Sequence, residues 1–96
     1  MEQIKKNYAY EVLRLASLLQ ARGFRYSVNE ICGGAQVILY DSRNKRVADA
    51  VCHPYSYGAN EGLLEIMGLG TEDDVISWLT AEDVLRLWTD CMEGRG

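Results

Sequence analysis

The hydrophobic and polar positions of the chain fall into two helical patterns separated by strand-like ones. Across residues 6–22, Tyr8, Val12, Leu15 and Leu19 recur at helical spacing with Ala16 beside them, while Glu11 and Arg14 occupy the other side. This predicts an amphipathic helix, and Gly23 directly after it is suited to the left-handed C′ position. Phe24, Tyr26 and Val28 then alternate with Arg25, Ser27 and Asn29, the period of a half-buried strand. Gly33 and Gly34 break that run ahead of Ala35–Asp41, whose Val37, Ile38, Leu39 and Tyr40 suit a central strand. Residues 41–45 read as a short turn in which Asn44 can take the left-handed conformation. A third strand follows over residues 46–52. Asp49 lies between Val47 and Val51 in its alternation, and an inward charge of this kind points to an edge strand.

Beyond the third strand the pattern is more broken. Residues 53–58, His-Pro-Tyr-Ser-Tyr-Gly, read as a loop rich in aromatic side chains. Asn60 is placed to cap a short helix through Leu63, Leu64, Ile66 and Met67, ended by Gly68. Thr71 with Asp74, and Thr80 with Asp83, each have the spacing of a capped helix start, aspartate standing in for the usual glutamate. The last helix has the clearest stripe: Ala81, Val84, Leu85, Trp88, Cys91 and Met92 on one side, Glu82, Asp83, Arg86, Asp90 and Glu93 on the other. The glycine-rich run at residues 62–70 lacks the following lysine of a phosphate loop. The expectation is one two-layer α+β domain over residues 1–96: a three-stranded antiparallel meander with helices on one face, in the order α-β-β-β-α-α. Two amphipathic helices and a half-apolar strand can bury their stripes only on each other, so Trp88 and Leu85 should pack against Phe24, Tyr26 or Val28.

A 96-residue chain that is 48% hydrophobic and 25% charged can bury a core of its own. The first residues have no apolar run of signal-peptide kind and no stretch is long enough to span a bilayer, so a cytoplasmic protein without membrane contact is expected. The net charge of −4 conceals a polarity: residues 1–48 carry eight Lys/Arg and four Asp/Glu, residues 49–96 two and ten. The halves are therefore +4 and −8, which reads either as solvated faces of ordinary helices or as an acidic surface for a partner with a basic one.

Catalytic chemistry finds little support. Cys32, Cys52 and Cys91 lack metal-site spacing and secretory context, and read as reduced core thiols. His53 is the single histidine and adjoins Cys52, but neighbouring strand residues face opposite ways, so a Cys52–His53 enzyme ranks last. No metal, cofactor or catalytic residue is expected. The carboxylate pairs Glu61/Glu65 and Glu72/Asp74 have the solvated surroundings that leave acidity ordinary. The order helix, three strands, helix is shared with the double-stranded RNA-binding domain, yet Thr80-Ala81-Glu82-Asp83-Val84 stands where that fold carries phosphate-binding lysines. Direct nucleic-acid binding is therefore not expected.

The strings Gly33-Gly34, Ser56-Tyr57-Gly58, Leu63-Leu64-Glu65-Ile66-Met67-Gly68-Leu69 and Trp78-Leu79-Thr80-Ala81-Glu82-Asp83-Val84 resemble recurrent pieces of a group of small uncharacterised proteins from prophages and mobile elements of Firmicutes. The resemblance covers roughly residues 33–88 and implies a mobile-element context. Small accessory proteins of such elements often bind and block host machinery, anti-CRISPR proteins among them; that is an analogy of class. The expected function is thus a non-catalytic protein-binding module, an inhibitor of a host defence nuclease acting through an acidic surface. The expected partner-binding residues are Glu61, Glu65, Glu72, Asp73, Asp74, Glu82, Asp83 and Asp90, with Tyr55 and Tyr57 from the aromatic loop. The alternative is a scaffolding or dimerising prophage protein that uses a free sheet edge.

Overall fold

The computed structural model describes residues 10–31, 33–52, 62–69 and 75–95. The elements are α1 (Tyr10–Ala21), β1 (Arg25–Ile31), β2 (Gly34–Tyr40), β3 (Arg46–Cys52), β4 (Leu64–Met67), β5 (Val75–Leu79) and α2 (Ala81–Arg95). The strands form one five-stranded antiparallel sheet in the order β1-β2-β3-β4-β5, so that chain order and spatial order coincide.

This corrects the three-stranded α-β-β-β-α-α expectation at three places. The segment around Leu64–Met67 is a strand where a short helix was expected: Leu64 and Ile66 are buried against the helices, and Glu65 and Met67 face away. Four residues flanked by glycine satisfy helical and strand periodicity equally, and pairing with β3 decides in favour of the strand. A helix begun at Thr71 is also excluded beyond residue 74, because Val75–Leu79 is a strand; Thr71 and Asp74 lie outside the described residues. Finally, β3 is the central strand and not an edge. Asp49 sits on the face away from the helices, where its carboxylate accepts from Gln36 Nε2 at 3.0 Å and lies 3.6 Å from the Arg46 guanidinium. Only 13% of the Asp49 side chain is exposed, and its bonds to Gln36 and Arg46 are what allow a carboxylate mid-sheet.

Local signals hold the rest. The end of α1 is a complete Schellman motif: Phe24 N–H donates to the Leu19 carbonyl at 3.0 Å and Gly23 N–H to that of Gln20 at 3.1 Å, with Gly23 at φ 77°. Asn44 takes φ 65° in the β2–β3 turn, and Asp41 Oδ1 accepts the backbone N–H groups of Arg43 and Lys45 at 2.8 and 3.0 Å. Thr80 and Asp83 form a reciprocal capping box: Asp83 N–H donates to Thr80 Oγ1 at 3.2 Å and Thr80 N–H to Asp83 Oδ2 at 3.0 Å.

Both helices lie on one face of the sheet. Val12, Leu15 and Leu19 of α1 and Val84, Leu85 and Trp88 of α2 close over Val37, Leu39, Leu64 and Ile66. Ala48 and Ala50 on the central strand leave room for the large side chains above them. Trp88 is fully buried and meets Phe24 edge to face, with ring centroids 6.4 Å apart. Val28 lies outside this contact and is largely exposed. Among the described residues, no helix is long and apolar enough to cross a membrane.

Candidate protein-binding edge

The strand β5, Val75-Ile76-Ser77-Trp78-Leu79, carries two β-branched residues and one aromatic, and among the described residues it pairs with β4 alone. Its register matches Met67 with Val75, Ile66 with Ile76 and Leu64 with Leu79. One β4 residue, Glu65, therefore opposes two β5 residues, Ser77 and Trp78, which is the count of a β-bulge. Trp78 adopts φ 65°, a left-handed conformation that costs a bulky residue of order 1–3 kcal/mol. Trp78 is 58% exposed. Val75 is 45% exposed and the neighbouring Met67 41%, with Ile76 also open. Met67 and Val75, paired in register, share the sheet face away from the helices, while Ile76, paired with Ile66, lies on the helix side; among the described residues the outer edge of β5 has no strand beside it.

The expected acidic surface is dispersed and partly occupied. Glu65 points to the sheet face opposite the helices, whereas Glu82, Asp83 and Asp90 lie on α2. Glu82 is held by Arg14 of α1, with Nη1 donating at 2.9 Å and Nη2 bonding its second oxygen. Asp83 belongs to the capping box and contacts Arg86 Nη2 at 3.3 Å. Hydrogen bonds from the Thr80 backbone N–H and then its hydroxyl hold the Asp83 carboxyl below its ordinary 3.8, with Arg86 contributing. Asp90 is exposed, about 10 Å further along the helix than Asp83 by its rise. Glu61, Glu72, Asp73, Asp74, Tyr55 and Tyr57 lie outside the described residues, as do Cys32 and His53.

Cys52 is fully buried on the helix-covered face. Burial pushes its thiol up to about 11, and the nearby Glu11 carboxylate adds to the shift, so the thiolate needed for nucleophilic attack is suppressed at neutral pH. Among the described residues, no three His, Cys, Asp or Glu side chains gather where they could hold a metal ion.

One functional group was invisible to sequence reasoning. Glu11 on α1 accepts from Ala81 N–H, the first amide of α2, at 2.7 Å, and Arg14 at 3.3 Å links it to Glu82. A carboxylate from one helix thereby caps another 70 residues later. Glu11 reads locally only as a polar-face residue. The signal for β5 was its composition, but its exposed positions are themselves apolar and leave no alternation to detect.

The described residues define a two-layer α+β protein whose last strand is an aromatic-bearing edge of the sheet. No protein-family model matches the chain, and no curated protein or solved structure is significantly similar to it.

Proposed function

We propose that this chain is a non-catalytic protein-binding module that takes up an extended segment of another protein along β5. The observation that carries the reading is an edge strand that, among the described residues, pairs with β4 alone and bears the strained, exposed Trp78. A strand added at this edge would satisfy the free main-chain groups, and Trp78, Ile76 and Val75 would supply the apolar contacts. The partner segment carries lysine or arginine. In sequence, β5 is preceded by Glu72-Asp73-Asp74 and followed by Glu82-Asp83, and the half of the chain that contains it is −8. Charge also argues against a second copy as occupant: each copy would bring to the other the same acid-flanked strand, with Glu72-Asp73-Asp74 before it and Glu82-Asp83 after it in sequence.

The mobile-element resemblance extends the proposal to a host defence nuclease, whose nucleic-acid channel supplies basic residues. In this reading the α2 carboxylates form an acidic rim and the apolar edge forms the anchor. The test places a photo-crosslinking phenylalanine analogue at position 78 in the host cell, purifies the protein it captures, and measures binding of that partner. Trp78→Ser should abolish binding while leaving the thermal midpoint within a few degrees, because the indole is exposed. Affinity should also fall with salt, since exposed charges are screened over about 8 Å at physiological ionic strength. A partner whose affinity ignores Trp78→Ser would overturn the edge, and an adduct of twice the chain mass would replace the proposal with self-association.

A further inference from the structure

The basic half of the molecule holds a second concave feature, unrelated to β5. A cleft of about 760 Å³ opens where the α1–β1 turn meets the β2–β3 turn, in the volume range of small-molecule sites. Its lining includes Phe24 and Met92 as apolar surface, Tyr40, and the guanidinium side chains of Arg25 and Arg43. Among the described residues no carboxylate forms an ion pair with either arginine; Arg25 Nη1 reaches only Asn44 Oδ1, at 3.3 Å. An acid, Asp41, also lines the cleft, and one of its carboxylate oxygens is turned onto the backbone N–H groups of Arg43 and Lys45 at 2.8 and 3.0 Å. It braces the turn that carries Arg43.

We infer that this cleft is a binding site for a small phosphate monoester bearing a planar ring, the class to which nucleoside phosphates belong. Two guanidinium groups offer planar forks that match phosphate oxygens. Phe24 and Met92 offer the apolar surface that a ring needs, and Phe24 is fixed by its edge contact with Trp88. The Schellman turn at Gly23 and the left-handed Asn44 set the two cleft walls in place before a ligand arrives, so little ordering is required on binding.

The experiment titrates the isotopically labelled protein with adenosine 5′-monophosphate, ribose 5-phosphate and adenosine, following the backbone amides of Gly23, Arg25 and Arg43. The monophosphate should shift these amides saturably, ribose 5-phosphate more weakly, and adenosine least. Arg25→Gln combined with Arg43→Gln should weaken monophosphate binding at least about tenfold, the scale of losing charge-assisted hydrogen bonds. Both side chains are exposed, so the fold should persist; if the double variant does not fold, Arg43→Gln alone in the exposed turn gives the same reading. Absence of saturable shifts with millimolar monophosphate overturns the site. Equal binding of adenosine, or unchanged affinity in the arginine variants, overturns the phosphate assignment. Binding confined to oligonucleotides would assign the arginines to a nucleic-acid surface instead.

Discussion

Glu11 combines two effects on the α1 side of the core: it caps α2 through Ala81 N–H and its charge bears on the Cys52 thiol. Glu11→Ala removes the acceptor and leaves an interior amide without a partner, which should cost about 1–3 kcal/mol in urea unfolding. Glu11→Gln keeps an oxygen in place and should cost less. Cys52 gives a pH prediction of definite sign. The folded thiol keeps its proton to about pH 11, while the unfolded one releases it near the ordinary 9.0. Between those values the unfolded chain binds fewer protons, so stability falls as pH rises, by at most about 1.4 kcal/mol per pH unit. Below 9.0 this contribution is constant. Urea midpoints followed through that window should decline more steeply for the parent chain than for Cys52→Ala, and equal slopes would show that the thiol titrates normally.

At the scale of elements, turn and cap chemistry was legible and short strands were not. Gly23, Asn44 and the Thr80–Asp83 pair act as their residue types dictate, because each is a local contest between a side chain and its own backbone. The strand β4 was misread because Leu63, Leu64, Ile66 and Met67 satisfy a helix as readily as a sheet, and only the neighbour β3 breaks the tie. Gly68 is needed in either reading, but for different reasons. In the sheet it has φ 101°, and a Cβ there would lie 2.5 Å from the Val47 carbonyl oxygen. Gly68→Ala therefore forces both backbone strain and a clash with β3, and should lower stability by roughly 1–3 kcal/mol. A thermal melt unchanged by this substitution would remove the close approach. On α2 the charge is visible in sequence, but the pairing of Glu82 with Arg14 and of Asp83 with Thr80 is not.

For the whole molecule, the two amphipathic stripes located the core, and the Trp88–Phe24 contact follows from them. Trp88→Ala should cost about 3–5 kcal/mol, a large share of what a domain of this size possesses. The buried indole N–H has no hydrogen-bond partner among the described residues, so Trp88→Phe sacrifices volume without breaking a bond. It should retain well over half of the stability that alanine loses, as measured by chemical denaturation; equal losses would show a hidden partner for the indole. The β5 edge stayed out of reach of sequence reasoning because nothing in the order Ser77-Trp78-Leu79 announces a tryptophan in a left-handed conformation.

The sheet is sewn in chain order, each strand beside the one made just before it, whereas the helical layer is closed only by α2, which follows every strand. During synthesis the hairpins can form as they leave the ribosome, yet Val37, Leu39, Leu64 and Ile66 keep half their cover missing until Trp88 arrives. The nascent chain therefore spends the longest part of its emergence as a one-sided sheet, sticky on the face that the finished protein hides. A ribosome stalled before residue 81 would present the cell's chaperones with a client that the completed chain never is.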